Sequence, residues 1–242
     1  MLGRQVPRED IDYELSGNVL LNEILGAKVH DLPAGADVLA WAEKRAETLR
    51  GEGRRVFLAP TGGSTPIGSL GYVSCAQEIL RQSKELNMEF TQVVVPNGSS
   101  GTHAGLAAGF YAAGKPASTV RSYSTLAEGD VAHRRTRELT EATLKLLGKD
   151  VQLNDADINV DGLHRGPGYG IPTQEMIDAV HTLARVEGLL LDPVYSGKAF
   201  GGLLADIAAG CYQAGDNILF VMTGGTPGLY AYRSLFKQSP QS

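Results

Sequence analysis

Short apolar runs alternate with amphipathic stretches along most of the chain. Val56-Phe57-Leu58-Ala59 leads through a Gly/Ser/Thr turn into a helical pattern from Pro66 to about Leu86. Val93-Val94-Val95 leads through a glycine-rich turn into a second helix, from about Thr102 to Ala113. Ile218-Leu219-Phe220-Val221-Met222 leads through a third such turn into a short helix around Tyr230. Unbroken β-branched runs, rather than strict alternation, predict strands buried on both faces, which requires a parallel sheet covered by helices. The pattern specifies an α/β fold with a doubly wound, mostly parallel sheet.

Two more helices have readable faces. Leu39, Ala42, Ala46 and Leu49 recur at three and four residues, with Gly51 as a left-handed stop. Met176, Ile177, Val180, Leu183 and Ala184 repeat the pattern between Pro172 and Gly188. Pro66 and Pro172 stand where a first turn should begin, a place that needs no N–H. Residues 1–15 are polar and aperiodic; a helix is expected from near Ser16 (Val19, Leu20, Leu21, Ile24, Leu25) and a weak strand around Lys28–Leu32. A compact domain rarely opens on a tail that runs straight into the middle of a βα sequence. The expectation is therefore a chain cut at its start.

Composition narrows the function classes. Among 242 residues, 22 Lys and Arg face 27 Asp and Glu, a net charge of −5. No basic stripe suits nucleic acid, and His133, Arg134, Arg135 and Arg137 read as a solvated helix face. There is no run of eighteen apolar residues and no apolar core near the start like that of a secretory signal, so a soluble, cytoplasmic protein is expected. Cys75 and Cys211 sit in apolar helical patterns and read as small buried residues. The five histidines are scattered without metal-ligand spacing, so no metal site is expected.

Candidate chemistry lies in the turns. Asn97-Gly98-Ser99-Ser100-Gly101-Thr102 joins a buried strand to a helix. Glycine allows close approach of a ligand, the hydroxyls add donors, and the helix N-terminus adds free N–H groups and partial positive charge. A phosphate cradle and an ordinary βα turn both fit; neither a Walker loop nor the dinucleotide spacing does. Thr61-Gly62-Gly63-Ser64 reads as a turn and cap, with Ser64 or Thr65 capping the helix from Pro66. Thr223-Gly224-Gly225-Thr226 closes the last strand in the same way and could border the same cleft. Tyr169 and Tyr195 stand on loops bounded by Gly or Pro, as structural phenols or as acid–base groups. Lys198, at the start of a helix, reads as a capping or ion-pair residue rather than a Schiff-base amine.

Taken together, GSSGTHAGLAAG (98–109), GPGYGIP (166–172), EGLLLDPVYSGKA (187–199) and TGGTPGLYAY (223–232) resemble the D-cysteine desulfhydrase and 1-aminocyclopropane-1-carboxylate deaminase group. SGNVLLNEILGA (16–27) and TGGSTPIGSLGYVSCAQEI (61–79) extend the resemblance, which runs from about Val6 to Tyr232. It implies a fold type II pyridoxal-phosphate enzyme, similar in architecture to the tryptophan synthase β-subunit. Residues 1–60 would then be the remainder of a small domain and 61–242 the large cofactor-binding domain. Ser99, Ser100, Gly101 and Thr102 match the loop around the cofactor phosphate. Thr223 matches the hydroxyl facing the pyridine nitrogen, with Gly224 beside it. Tyr169 and Tyr195 match tyrosines next to the substrate.

The implied reaction takes D-cysteine to pyruvate, ammonia and hydrogen sulfide; deamination of aminocyclopropanecarboxylate and sulfo-lyase chemistry are the alternatives. A small amino-acid substrate is implied and a homodimer is possible in such a group. The lysine that should bond the cofactor, and the Ser-Asn-His segment after it, match nothing in this sequence. The contrasting expectation is a non-catalytic remnant that binds phosphate or a partner.

Overall fold

The computed structural model describes residues 2–3, 10–33 and 35–236. Any expectation for residues 4–9 of the polar opening lies outside them. β1 (Leu2–Gly3), α1 (Ile11–Leu15), α2 (Asn18–Ile24), β2 (Asp31–Leu32) and α3 (Val38–Gly51) come first, with β1 and β2 paired in parallel. The remainder runs α4 (Pro66–Glu85), β3 (Gln92–Asn97), α5 (Gly101–Ala112), β4 (Val120–Ser124), α6 (Gly129–Leu146) and β5 (Asn159–Asp161). It continues through α7 (Gln174–Glu187), α8 (Ser196–Ala208), β6 (Ile218–Phe220), α9 (Pro227–Tyr230) and α10 (Arg233–Phe236).

The four-stranded sheet has the order β5-β4-β3-β6, and every pairing is parallel. Its strands alternate between two apolar layers. Val93 and Val95 pack with Leu106, Phe110, Val73 and Leu144 of α4, α5 and α6. Val94 and Tyr123 point the other way, to Ala199 and Leu203 of α8. Helices on both faces of a parallel sheet make the doubly wound α/β fold that the apolar runs require. No helix among the described residues is long and apolar enough to cross a membrane.

Several expectations need correction. Val56–Ala59 forms no strand, and Phe57 is 91% exposed; an apolar run without a partner edge is only extended chain. The left-handed residue after α3 is Gly53 (φ 82°), because Gly51 still belongs to the helix. Pro172 precedes the α7 N-cap, Thr173, whose hydroxyl accepts from Met176 N–H; it does not occupy the first turn. Cys75 is only partly buried and Cys211 is exposed. The opening is not wholly irregular, since Asp10 caps α1 by accepting from Asp12 N–H.

The close contact of α4 with α5 positions everything that follows. Gly101, Gly105 and Gly109 recur every four residues and so lie along one stripe of α5. A Cβ on Gly105 would stand 2.3 Å from Ser69 O, and one on Gly109 would stand 2.5 Å from the Ala76 Cβ. The helices therefore meet nearly backbone to backbone. Gly105→Ala should gain up to about 1 kcal/mol of helix propensity but force backbone apart, which costs about 1–3 kcal/mol. The clash wins, because a main-chain carbonyl cannot rotate aside as a side chain can. Urea unfolding of this variant should show a net loss of about 1–2 kcal/mol.

Candidate functional site

A cavity of about 340 Å³ opens beyond the carboxyl ends of β3 and β6, where ligands of open parallel sheets bind. It is lined by the 61–64 turn, the 96–103 segment, Tyr195 and Thr223–Gly225. No lysine, arginine or carboxylate is among its described lining residues. The donors these residues offer are neutral.

Ser100 carries the first of these. It stands at the N-cap of α5 with φ 72°, a left-handed conformation unusual for a residue with a side chain. This turn leaves the N–H groups of Ser99 to His103 without acceptors among the described residues. A left-handed residue followed by right-handed ones forms a concave set of amides that suits an anion. The α5 N-terminus adds its partial positive charge.

A second loop completes the rim. Ser64 Oγ lies 2.7 Å from Ser99 Oγ, and a Cβ on Gly62 (φ 67°) would come within 2.2 Å of the same Ser99 hydroxyl. Thr65, not Ser64, caps α4 by accepting from Gly68 N–H, so the Ser64 hydroxyl remains for the rim. Reading 61–64 as a turn and cap missed this role. Nothing local distinguishes a rim serine from a turn serine.

Beneath the amides runs a buried polar network that the sequence does not reveal. Asn97 Nδ2 donates to Ser122 Oγ (3.0 Å) and Thr136 Oγ1 (3.1 Å). Thr136 Oγ1 lies 3.0 Å from Ser100 Oγ, and His103 Nδ1 lies 2.7 Å from Ser122 Oγ. With Ser122 accepting from Asn97, its own proton is assigned to His103 Nδ1, which leaves Nε2–H as an unspent donor. Asn97 Oδ1 and His103 Nε2 are buried without a partner among the described residues, and both residues line the cavity. The His103 Nε2–H and the unpaired amides can donate to an anionic group, whereas Asn97 Oδ1 can only accept from a ligand donor or water.

Tyr195 is set by its own turn. The Asp192 carboxylate accepts from the N–H groups of Val194, Tyr195 and Ser196, each at 2.8 Å, and from Ser196 Oγ at 2.6 Å. An Asp that bonds amides two to four residues on is a local pattern that a sequence carries. Tyr195 OH lies 2.5 Å from Tyr169 OH. Tyr169 thus reaches the cavity through Tyr195 rather than lining it. Burial pushes both phenols above the ordinary value, and their mutual hydrogen bond raises Tyr169 further while opposing the rise at Tyr195. Thr223 and Gly224 border the cavity from the β6 side, and the Thr223 hydroxyl makes no hydrogen bond among the described residues.

Lys198 neither caps a helix nor forms an ion pair. Its Nζ donates to the carbonyls of Arg165 (2.7 Å) and Gly168 (2.8 Å), away from the cavity lining. Elsewhere, oxygen and nitrogen atoms of Asp161, His164 and Asp206 lie within 4.8 Å of one another. Arg121 already bridges both carboxylates, at 3.1 and 2.7 Å, and His164 Nδ1 meets Glu175 at 2.9 Å. This cluster is a partly buried ion-pair network in which Arg121 already bridges the two carboxylates.

Comparison with known proteins places these features in context. Residues 6–224 match the family described as pyridoxal-phosphate dependent enzyme. The chain is 36% identical over 235 residues to a D-cysteine desulfhydrase of Serratia proteamaculans, covering 96% of this chain and 69% of the relative. It is 35% identical over 243 residues to a 1-aminocyclopropane-1-carboxylate deaminase of Methylobacterium nodulans, with the same two coverages. Among solved structures, an ACC deaminase homologue superposes with a TM-score of 0.79 at 34% identity, over 91% of this chain and 65% of that one. An O-ureido-L-serine synthase shares the fold at a TM-score of 0.59 and 15% identity, over 99% of this chain and 68% of that one. The chain thus spans about two thirds of the length of these relatives.

The buried imidazole of His103 gives a pH signature. Burial, and secondarily the charge of His133, lowers its pKa from 6.5 to about 3. Between those values the unfolded chain binds a proton that the folded one refuses, so stability falls as pH drops below 6.5. Urea unfolding at pH 7 and pH 5 should show about 2 kcal/mol lost from this group at pH 5. His103→Gln should lack that loss, and an equal loss in the variant would refute the assignment.

Proposed function

Because the chain belongs to the pyridoxal-phosphate-dependent enzymes, in the branch shared by D-cysteine desulfhydrases and 1-aminocyclopropane-1-carboxylate deaminases, we propose that its cavity holds pyridoxal phosphate for β-elimination from a D-amino acid with a thiol leaving group. The observation that carries this reading is the set of unpaired amides from Ser99 to His103, in one cavity with Tyr195 and Thr223. The substrate class is D-cysteine-like. A deaminase reading rests on the relatives alone.

Ser99, Ser100, Gly101 and Thr102 would hold the phosphate, with amides and a helix terminus in place of basic side chains. Thr223 and Gly224 would border the pyridine ring. A neutral hydroxyl there does not force protonation of the ring nitrogen, which suits elimination better than transamination. Pyridoxal phosphate, when bound, supplies the electron withdrawal that stabilises negative charge at the substrate α-carbon.

The phenols supply a proton. Tyr195 faces the cavity and Tyr169 does not, so Tyr169 donates to Tyr195 and the Tyr195 proton is free to serve the ligand. Accepting that bond also makes Tyr195 the more easily ionised of the two. Both stay protonated near neutral pH, and Tyr195 acts as the acid toward the departing thiolate. No lysine lines the cavity among the described residues, so attachment of the ligand here is noncovalent.

The proposed division keeps residues 61–242 as the cofactor-binding domain and 1–60 as the remainder of a smaller one. The exposure of Ile11, Leu15, Ile24, Leu25 and Phe57 supports it, since the first part buries little apolar surface of its own.

Equilibrium dialysis should find pyridoxal phosphate bound at least roughly tenfold more tightly than pyridoxal, a difference of about 1.4 kcal/mol. Ser100→Val, which places a β-branched residue at positive φ, should abolish that preference, whereas Ser100→Gly should retain it. Equal binding of both ligands by the native chain would sink the phosphate assignment. A separate check is borohydride reduction followed by peptide mapping, where no lysine of this chain should be labelled stoichiometrically. One fully labelled lysine, together with turnover of D-cysteine to pyruvate, would overturn the noncovalent reading.

A further inference from the structure

The loop that carries Tyr169 has almost no structure of its own. It leaves a short 3-10 turn at Leu163–Arg165 and reaches α7 through Gly166 and Gly170, both at positive φ (69° and 70°). Its one internal backbone bond is a 3.3 Å contact from Ile171 N–H to Gly168 O. Three of its carbonyls are instead held from outside. Lys198 Nζ donates to Arg165 O and Gly168 O, and Tyr232 OH donates to Gly170 O at 2.8 Å.

Lys198 occupies its place against three penalties. It is 2% exposed, so its charge is desolvated. It stands in the first turn of α8, where a cation opposes the helix dipole. Its nearest charged influence is Arg165, of like sign, and no carboxylate lies within ion-pair distance among the described residues. Two carbonyl oxygens alone solvate the ammonium. An apolar side chain would cost less if the position served packing only.

The placement has a geometric return. Tyr195 is the N-cap of α8 and Lys198 stands three residues on, in its first turn, so one short segment carries both. One presents a phenol to the cavity, and the other grips the loop that delivers the second phenol. We propose that Lys198 is a positioning residue that sets the Tyr169–Tyr195 pair by fixing the 165–170 loop through its two carbonyls. The proposal rests on the acid role of Tyr195 for its catalytic meaning, but the clamp itself is a property of this chain alone.

The test reads the phenols directly. Native protein and Lys198→Met are titrated to high pH, following tyrosinate absorbance, each with and without Tyr169→Phe. In the native chain Tyr169 is held protonated beyond the range of free phenols, whose pKa is about 10. In Lys198→Met, one additional tyrosine of the nine should ionise in the ordinary range, and Tyr169→Phe should remove that increment. Lys198→Gln, which keeps a donor for one carbonyl, should restore part of the native behaviour. Pyridoxal phosphate binding by dialysis should stay within twofold of native in both variants, because the phosphate amides belong to a different element.

An unchanged titration in Lys198→Met overturns the proposal, as does an increment that survives Tyr169→Phe. Loss of pyridoxal phosphate binding along with the increment would show general loosening and overturns it too. If neither variant unfolds cooperatively in urea, Lys198 is a core-stability residue and the positioning role is refuted. Failure of the native chain to bind pyridoxal phosphate would instead remove the functional reading, while the titration would still decide the clamp.

Discussion

The near-contact of α4 and α5 is the constraint on which the rest of the molecule depends. Three glycines spaced by four residues let the two backbones meet, and any side chain on that stripe would drive them apart. Because α4 begins directly after the 61–65 turn and α5 directly after the 98–100 turn, the same contact brings those turns to hydrogen-bond distance. Helix packing and site geometry are thus one property. A shift of an ångström between these helices would move Ser64 off Ser99 and open the rim.

The site's electrostatics follow from where charge was left out. The cavity wall is neutral, and the charged groups nearest the sheet lie on its other face, where Arg121, Asp161, Asp206 and Tyr123 satisfy one another. Ser122 and Arg121 are neighbours on β4 yet serve opposite layers, because successive residues of a strand alternate in direction. The polar network under the α5 amides therefore lies on the opposite side of the sheet from a partly buried ion-pair cluster. Burial keeps His103 uncharged, its Nδ1 pairs with a neutral hydroxyl, and the helix terminus is left as the main source of positive potential.

Much of this was legible in the sequence, for physical reasons. β3 is buried on both faces and has the unbroken apolar run that such burial demands, and β6, half-buried at the sheet edge, has an apolar run as well. α4 and α7 have caps and periodicity that placed them to within a residue or two, and α5, buried all round, was placed by the glycine-rich turn before it and the small apolar run that follows. β4 was not legible, because Arg121 and Ser122 are polar residues satisfied by partners far away in sequence, and Ser124 is a third polar residue in a five-residue strand. β5 is three residues at a sheet edge, too short to show a period. The reverse error at Val56–Ala59 has the same root: an apolar run is a strand only when another strand offers it an edge. In the site, glycine and hydroxyl turns after strands pointed to the right places. The roles of Ser64, Asn97 and His103 depend on contacts between segments, which no local pattern encodes.

The pairing of β6 with β3 also determines when the pocket comes into being. β3 finds β4 in the next stretch of chain, but its other edge must wait for residues near the far end. Contacts between distant segments form late, because closing a long loop costs entropy before any contact repays it. During synthesis the earlier segments emerge first, so the amide cradle at α5 can exist before Thr223 and Gly224 arrive with β6. In that interval the amides of α5 stand open on the side that β6 will wall. Selectivity of the whole cavity for any ligand begins only when the last strand docks.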